Sequence, residues 1–196
     1  MNLTTRLTPR VLGTAALACA AVLAPAVALA APTHGAAPVG KAKPVAAATP
    51  QCATSVLSTW LGIPGYGFAG GAAYQLETSN ISHSTCTLFG YPGVSALGTG
   101  GKQLGSAAGR NASHPPALVT LQPGATAHVF LQITTVANFP PSVCQPTTAV
   151  ALRVFPPNNT TAAQIPFSFQ ACSKAGPVYL QVTTTLSGTG IPGFSS

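Results

Sequence analysis

The side chains that could do chemistry in this chain are few: five cysteines, four histidines and one acid among 196 residues. The acid is Glu77. General acid–base catalysis pairs a titratable group with a second one in hydrogen-bond reach, and a single carboxylate has little to pair with. A serine-hydrolase elbow needs G-x-S-x-G and an acid to orient a histidine. Gly93-Val94-Ser95-Ala96-Leu97-Gly98 misses that spacing by one residue, and Glu77 would be the only orienting acid. Zinc wants Cys or His at short spacing. His34, His83, His114 and His128 are scattered, and no two cysteines lie close in sequence. Gly101-Lys102 matches a phosphate loop for two residues only. Ala96 stands in place of the first glycine and Gln103 in place of the Ser or Thr, so a glycine hairpin is the better account. No catalytic, cofactor-binding or metal-binding residue is therefore assigned, no cofactor is expected, and the chain is not expected to be an enzyme. His128 is expected on a solvated strand face, and His83 and His114 among turn residues. Glu77 is expected to be a solvated strand residue facing a Lys or Arg.

The cysteines themselves carry more information. Cys52, Cys86, Cys144 and Cys172 follow what looks like an export signal. Arg6 and Arg10 form a positive start, Val11 to Leu23 an apolar core, and Pro25 breaks it. Ala28-Leu29-Ala30 supplies the small-x-small pattern cut by signal peptidase. Residues 1–30 are thus expected to be a signal peptide cleaved after Ala30. A retained anchor is the alternative, since Val11 to Ala31 approaches the ~20 residues needed to span a bilayer. Gly13, Thr14 and Pro25 interrupt that run. Cys19 follows Ala16-Leu17-Ala18, a loose lipoprotein box, but the apolar run continues well beyond it. Cleavage removes Cys19 and leaves an even set of four cysteines for an oxidising compartment, secreted or in the cell envelope.

Residues 31–50 read APTHGAAPVGKAKPVAAATP. Proline recurs without apolar periodicity, which describes a semi-extended, disordered linker. Residues 51–196 fit one domain of ordinary size. Strand signals dominate it. In Ala125 to Thr134, Ala127, Val129, Leu131 and Ile133 alternate with Thr126, His128, Gln132 and Thr134, with Phe130 as the exception. Gln122-Pro123-Gly124 marks a tight turn before it, after a strand near Ala117 to Leu121. Val150, Leu152 and Val154 alternate with Ala149, Ala151 and Arg153. Val178, Leu180 and Val182 alternate with Tyr179, Gln181 and Thr183, and Tyr74, Leu76 and Thr78 with Ala73, Gln75 and Glu77. Val94 to Leu97 and Lys102 to Leu104 flank a glycine-rich hairpin turn. No stretch after Gln51 has a helical stripe, and Gly and Pro are too frequent for long helices. Many short strands without crossover helices predict an all-β, mostly antiparallel sandwich or barrel.

Thr78-Ser79-Asn80, then Thr85-Cys86-Thr87-Leu88 and Gly90-Tyr91-Pro92-Gly93-Val94, followed by Leu121-Gln122-Pro123-Gly124-Ala125 and Cys144-Gln145-Pro146, carry a resemblance. The chain resembles a family of secreted actinobacterial domains catalogued as domain of unknown function 4232, over most of Cys52 to about Val182. The resemblance implies export, an immunoglobulin-like antiparallel β-sandwich and two disulfides. It transfers no catalytic or binding residues. Four cysteines allow three pairings. We expect the sequential one, Cys52–Cys86 and Cys144–Cys172. Each closes a loop of about 30 residues, which stabilises by roughly 3–4 kcal/mol in the chain-entropy model.

Charge narrows the partners. After residue 30, six basic side chains (Lys41, Lys43, Lys102, Arg110, Arg153 and Lys174) stand against Glu77, a balance of +5 with neutral histidines. They are isolated rather than clustered with aromatics, so nucleic acid is not an expected partner. Weak attraction to an anionic envelope is expected of such a balance. No stable membrane span is expected after signal cleavage. Asn80-Ile81-Ser82, Asn111-Ala112-Ser113 and Asn158-Asn159-Thr160 match the N-glycosylation pattern, as chance matches in a Thr-rich bacterial chain. The expected function is that of an exported, non-catalytic envelope or extracellular module contacting wall polymer or another protein. The alternative is an exported enzyme or enzyme inhibitor working through loop residues without a motif.

Overall fold

The computed structural model describes residues 48–190. The expected signal peptide, Cys19, His34, Lys41, Lys43, most of the linker and residues 191–196 lie outside the described residues. The described chain is all-β. Its strands in order are β1 (Leu57–Phe68), β2 (Gly71–Asn80), β3 (Cys86–Phe89), β4 (Gly93–Leu97), β5 (Gln103–Leu104) and β6 (Gly109–Arg110). Then follow β7 (Leu118–Leu121), β8 (Thr126–Thr134), a single-turn helix α1 (Pro141–Cys144), β9 (Pro146–Phe155), β10 (Ala163–Cys172), β11 (Leu180–Val182) and β12 (Leu186–Ser187).

The larger sheet runs β1-β2-β8-β11-β6. The far edge of β8 is shared: β11 pairs with its Leu131–Ile133 end and β12 with Ala127 and His128. The second sheet runs β10-β9-β4-β5, and β3 with β7 forms a two-stranded ribbon. Every named strand pair is antiparallel except β11 with β6. Turn chemistry sets the connections. Pro123 fixes φ at the first corner of the turn into β8, and Gly124 takes φ +78°, a left-handed value that a type II turn demands. The Ala125 N–H closes that turn on Gln122 O at 2.9 Å. The expected glycine hairpin joins β4 to β5.

The two sheets face each other across one apolar core. Leu76, Val129, Leu131, Ile133, Leu180 and Val182 come from the larger sheet. Val94, Ala96, Leu152, Val154 and Ile165 come from the smaller one. Tyr179 is wholly buried among them, and its hydroxyl donates to Leu104 O at 3.1 Å. Burial pushes that phenol up to about 12. A smaller cluster of Leu57, Leu88, Val119, Leu121 and Ala127 surrounds the ribbon. Cys52 is bonded to Cys86 in this smaller cluster, and Cys144 to Cys172 in the main core.

Two alternation patterns depart from expectation. Val150 is 43% exposed while Ala149 is buried, so Val150 does not share a face with Leu152 and Val154. The β9–β10 register shifts opposite this point, where Phe167 and Ser168 of β10 stand against Val150 alone, so the buried set of β9 changes parity between Ala149 and Leu152. Val178 is 47% exposed and Tyr179 buried. Both precede β11, where no pleat fixes the alternation.

Candidate functional site

Two disulfides remove four of the five cysteines from metal or nucleophile chemistry. Among the described residues no three His, Cys, Asp or Glu side chains converge to hold a metal ion. Ser95 is buried on β4 and faces Arg153 across the ladder. His83 is exposed in a turn after β2, and His114 is half-buried in the loop before β7. Asn80 is buried, and its amide donates to Ser84 O and Leu121 O at 2.8 and 3.0 Å. Its amide is therefore committed to the fold, and glycan attachment there would remove one of the two N–H donors.

Glu77 and His128 contradict the expectation of solvated residues. They are 6% and 8% exposed. The pleat does turn them away from the core, but that outer face of the larger sheet is covered. Glu77 on β2 lies directly opposite His128 on β8 and Trp60 on β1. One step along, Gln75 lies opposite Phe130, which is 5% exposed. The cover is the chain following β12. The Gly190 N–H donates to Glu77 Oε1 at 2.9 Å, and the Gly188 N–H to Thr126 O at 2.9 Å. His128 Nδ1 lies 2.9 Å from Gly188 O. A carbonyl only accepts, so Nδ1 carries the proton. A Cβ at position 190 would fall 2.2 Å from Gln75 Oε1, so any larger residue there would have to push the Gln75 side chain aside.

This cover fixes the electrostatics. Glu77 Oε2 is buried with no hydrogen-bond partner among the described residues. Burial raises the Glu77 carboxyl above its ordinary 4.5, and the Gly190 N–H and His128 offset only part of that. Among the described residues no hydrogen bond joins Glu77 to a serine or a histidine. The carboxylate therefore fastens the C-terminal segment to the sheet and does not orient a base.

Beside this cover, still on the outer face, a groove of about 290 Å³ opens. Phe130 and Gln132 line it from β8, Tyr66 from β1, Thr183 from just after β11, and Asn111, Ser113 and His114 from the loop after β6. The loop is locally braced. Asn111 Oδ1 accepts from the Ser113 N–H at 3.0 Å, and Ser113 Oγ meets His114 Nδ1 at 3.1 Å. Thr183 Oγ1 accepts from the Phe130 N–H at 2.9 Å. Amide, hydroxyl, imidazole and aromatic surfaces meet here without a carboxylate or an ammonium. Such a lining hydrogen-bonds a neutral polar ligand and offers no nucleophile–base–acid chain. A second groove of about 400 Å³ lies between Tyr74, Ile133, Val136 and Phe169 at the edge of the sandwich. There Tyr74 meets Phe167 edge-on at 5.0 Å, and Phe167 stacks on Phe169 at 5.2 Å.

Sequence reasoning missed both the cover and the groove. The one signal for the cover was the pairing of a lone acid with a strand histidine of the same parity, and that needs the β2–β8 register to be seen.

Two facing sheets, two buried disulfides and a polar outer face define a small disulfide-stapled β module. Among the described residues no helix is long and apolar enough to cross a membrane. The chain belongs to the family described as Domain of unknown function (DUF4232), whose model matches residues 52–186. The match takes in all four disulfide cysteines, Glu77 and His128, and stops short of Gly188–Gly190, which cover them. No curated protein and no solved structure matches the chain.

Proposed function

We propose that this chain is an exported, non-catalytic immunoglobulin-like module of the cell envelope or extracellular space. Its outer-face groove holds a neutral, hydroxyl-rich ligand, of which a wall polysaccharide is the leading example. The observation that carries the proposal is the groove beside Phe130. Its polar groups come from two strands and a braced loop, and all are amides, hydroxyls or an imidazole. Ligand pockets combine an apolar surface with a few placed polar groups, and this one has Phe130 and Tyr66 as the apolar part. Neutral side chains hydrogen-bond sugar hydroxyls without a charge to desolvate. The expected signal peptide and the two disulfides support export. Calorimetric titration with solubilised wall glycan tests the proposal. Gln132→Ala and Asn111→Ala should each weaken binding about tenfold, the loss of one or two hydrogen bonds. Unchanged affinity in both variants would place the ligand elsewhere. Hydrolysis of the glycan abolished by His114→Ala would favour the exported enzyme instead.

A further inference from the structure

Arg153 lies on β9, on the outer face of the smaller sheet, away from the groove. Its direct cross-strand neighbours are Gln164 on β10 and Ser95 on β4. Directly opposed residues of antiparallel strands share a face. An amide, a guanidinium and a hydroxyl therefore form one row across three strands. Gln103 on β5 accepts a hydrogen bond from Arg153 Nη2, and the guanidinium lies over the Phe155 ring at 5.6 Å. These contacts hold the planar fork in one orientation.

They do not satisfy it. A guanidinium has five N–H donors. The Nε–H of Arg153 is buried with no acceptor among the described residues. Its charge is also unanswered by any acidic side chain. The chain has one, Glu77, on β2 in the other sheet and already holding Gly190. A half-buried cation without a partner costs free energy that an opposite charge would offset. An anionic ligand would supply that charge.

We propose that Arg153, with Gln164 beside it, binds an oxyanion, a carboxylate or a phosphate group carried by an extracellular ligand. The Nη end of Arg153 meets the anion. The exposed Gln164 amide is the flanking donor, while Ser95 is buried and does not reach the ligand. Gln103 is a positioning residue, because it aims the guanidinium without needing to touch the anion. Orientation matters because a fixed fork recognises an oxyanion by two parallel hydrogen bonds, whereas a mobile surface lysine offers only a point charge.

The test is a titration of the nitrogen-15-labelled full chain with sodium phosphate and with sodium acetate, at constant ionic strength made up with chloride. The Nε–H resonance of Arg153 and the side-chain amides of Gln103 and Gln164 should shift along a saturating curve with at least one of the two anions. Arg153→Gln should weaken that binding about tenfold, and Lys102→Gln should change it by less than about twofold. If Arg153→Gln disturbs the fold, Gln164→Leu keeps the charge and should weaken binding about threefold. Competition by a phosphodiester polymer or by a carboxylated polysaccharide names the source of the anion. Shifts that grow without saturating, or that persist unchanged in Arg153→Gln, overturn the proposal. Because the row lies on a different sheet from the Phe130 groove, its failure leaves the glycan proposal standing.

Discussion

Glu77, the only carboxylate side chain of the chain, is folded against its own C-terminal segment. A consequence for pH follows. Its folded value lies above the ordinary 4.5, chiefly because burial disfavours the charged form. Below that ordinary value both folded and unfolded chains are protonated. As pH rises from there to the raised value, the folded chain keeps a proton that the unfolded chain has lost. Stability therefore falls as pH rises through this window and stays at the lower level above it. Glu77→Gln keeps the size of the side chain and an acceptor for Gly190, and removes the titration. We expect its denaturant midpoint to be flat between about pH 4 and pH 8, and to exceed that of the parent at neutral pH. A variant that loses stability with pH as steeply as the parent would show that another group titrates in this window.

At the scale of elements, β8 organises the fold. It pairs with β2 along one edge and with β11 and β12 along the other. Its alternation of Val129, Leu131 and Ile133 was plain in the sequence, and all three lie in the main core. Their partners across the core were not, because sequence periodicity says which face is apolar but not which sheet it meets. Leu152 of β9 is one such partner and is wholly buried. Leu152→Ala should cost about 3 kcal/mol in urea unfolding, from lost transfer and the cavity left behind. A loss below about 1 kcal/mol would mean that the two sheets do not pack as described. The other face of β8 shows the limit of period-two reasoning. His128 and Phe130 are turned outward, yet both are buried, because the cover arrives from residues some sixty positions away. Val150 and Val178 fail for a local reason. A register shift opposite β9 and the unpaired approach to β11 break the pleat on which the alternation rests.

Taken whole, the molecule is one β module with two stapled regions and two unlike outer faces. One face presents a neutral groove, the other a single fixed guanidinium. That polar, weakly charged surface was visible in the composition. The groove was not, since it needs Tyr66, Asn111, His114 and Thr183 brought together from distant segments. The disulfides differ in position, Cys144–Cys172 in the main core and Cys52–Cys86 in the smaller cluster around the ribbon. Replacing either pair by alanine should cost roughly 3–4 kcal/mol. The Cys144–Cys172 pair should cost the more, because its removal also opens space in the main core. Thermal unfolding of the two double variants checks the order, and a larger loss for Cys52–Cys86 would reverse it.

The proposed function requires this module to hold an extracellular ligand by neutral hydrogen bonding in the groove beside Phe130. The most direct measurement is retention of the purified chain on isolated cell wall, at low salt and again at about 1 M salt, where the screening length is only about 3 Å. Retention that high salt spares, and that Gln132→Ala reduces in proportion to its loss of glycan affinity, is the predicted result. No retention, or retention that high salt abolishes, would contradict it.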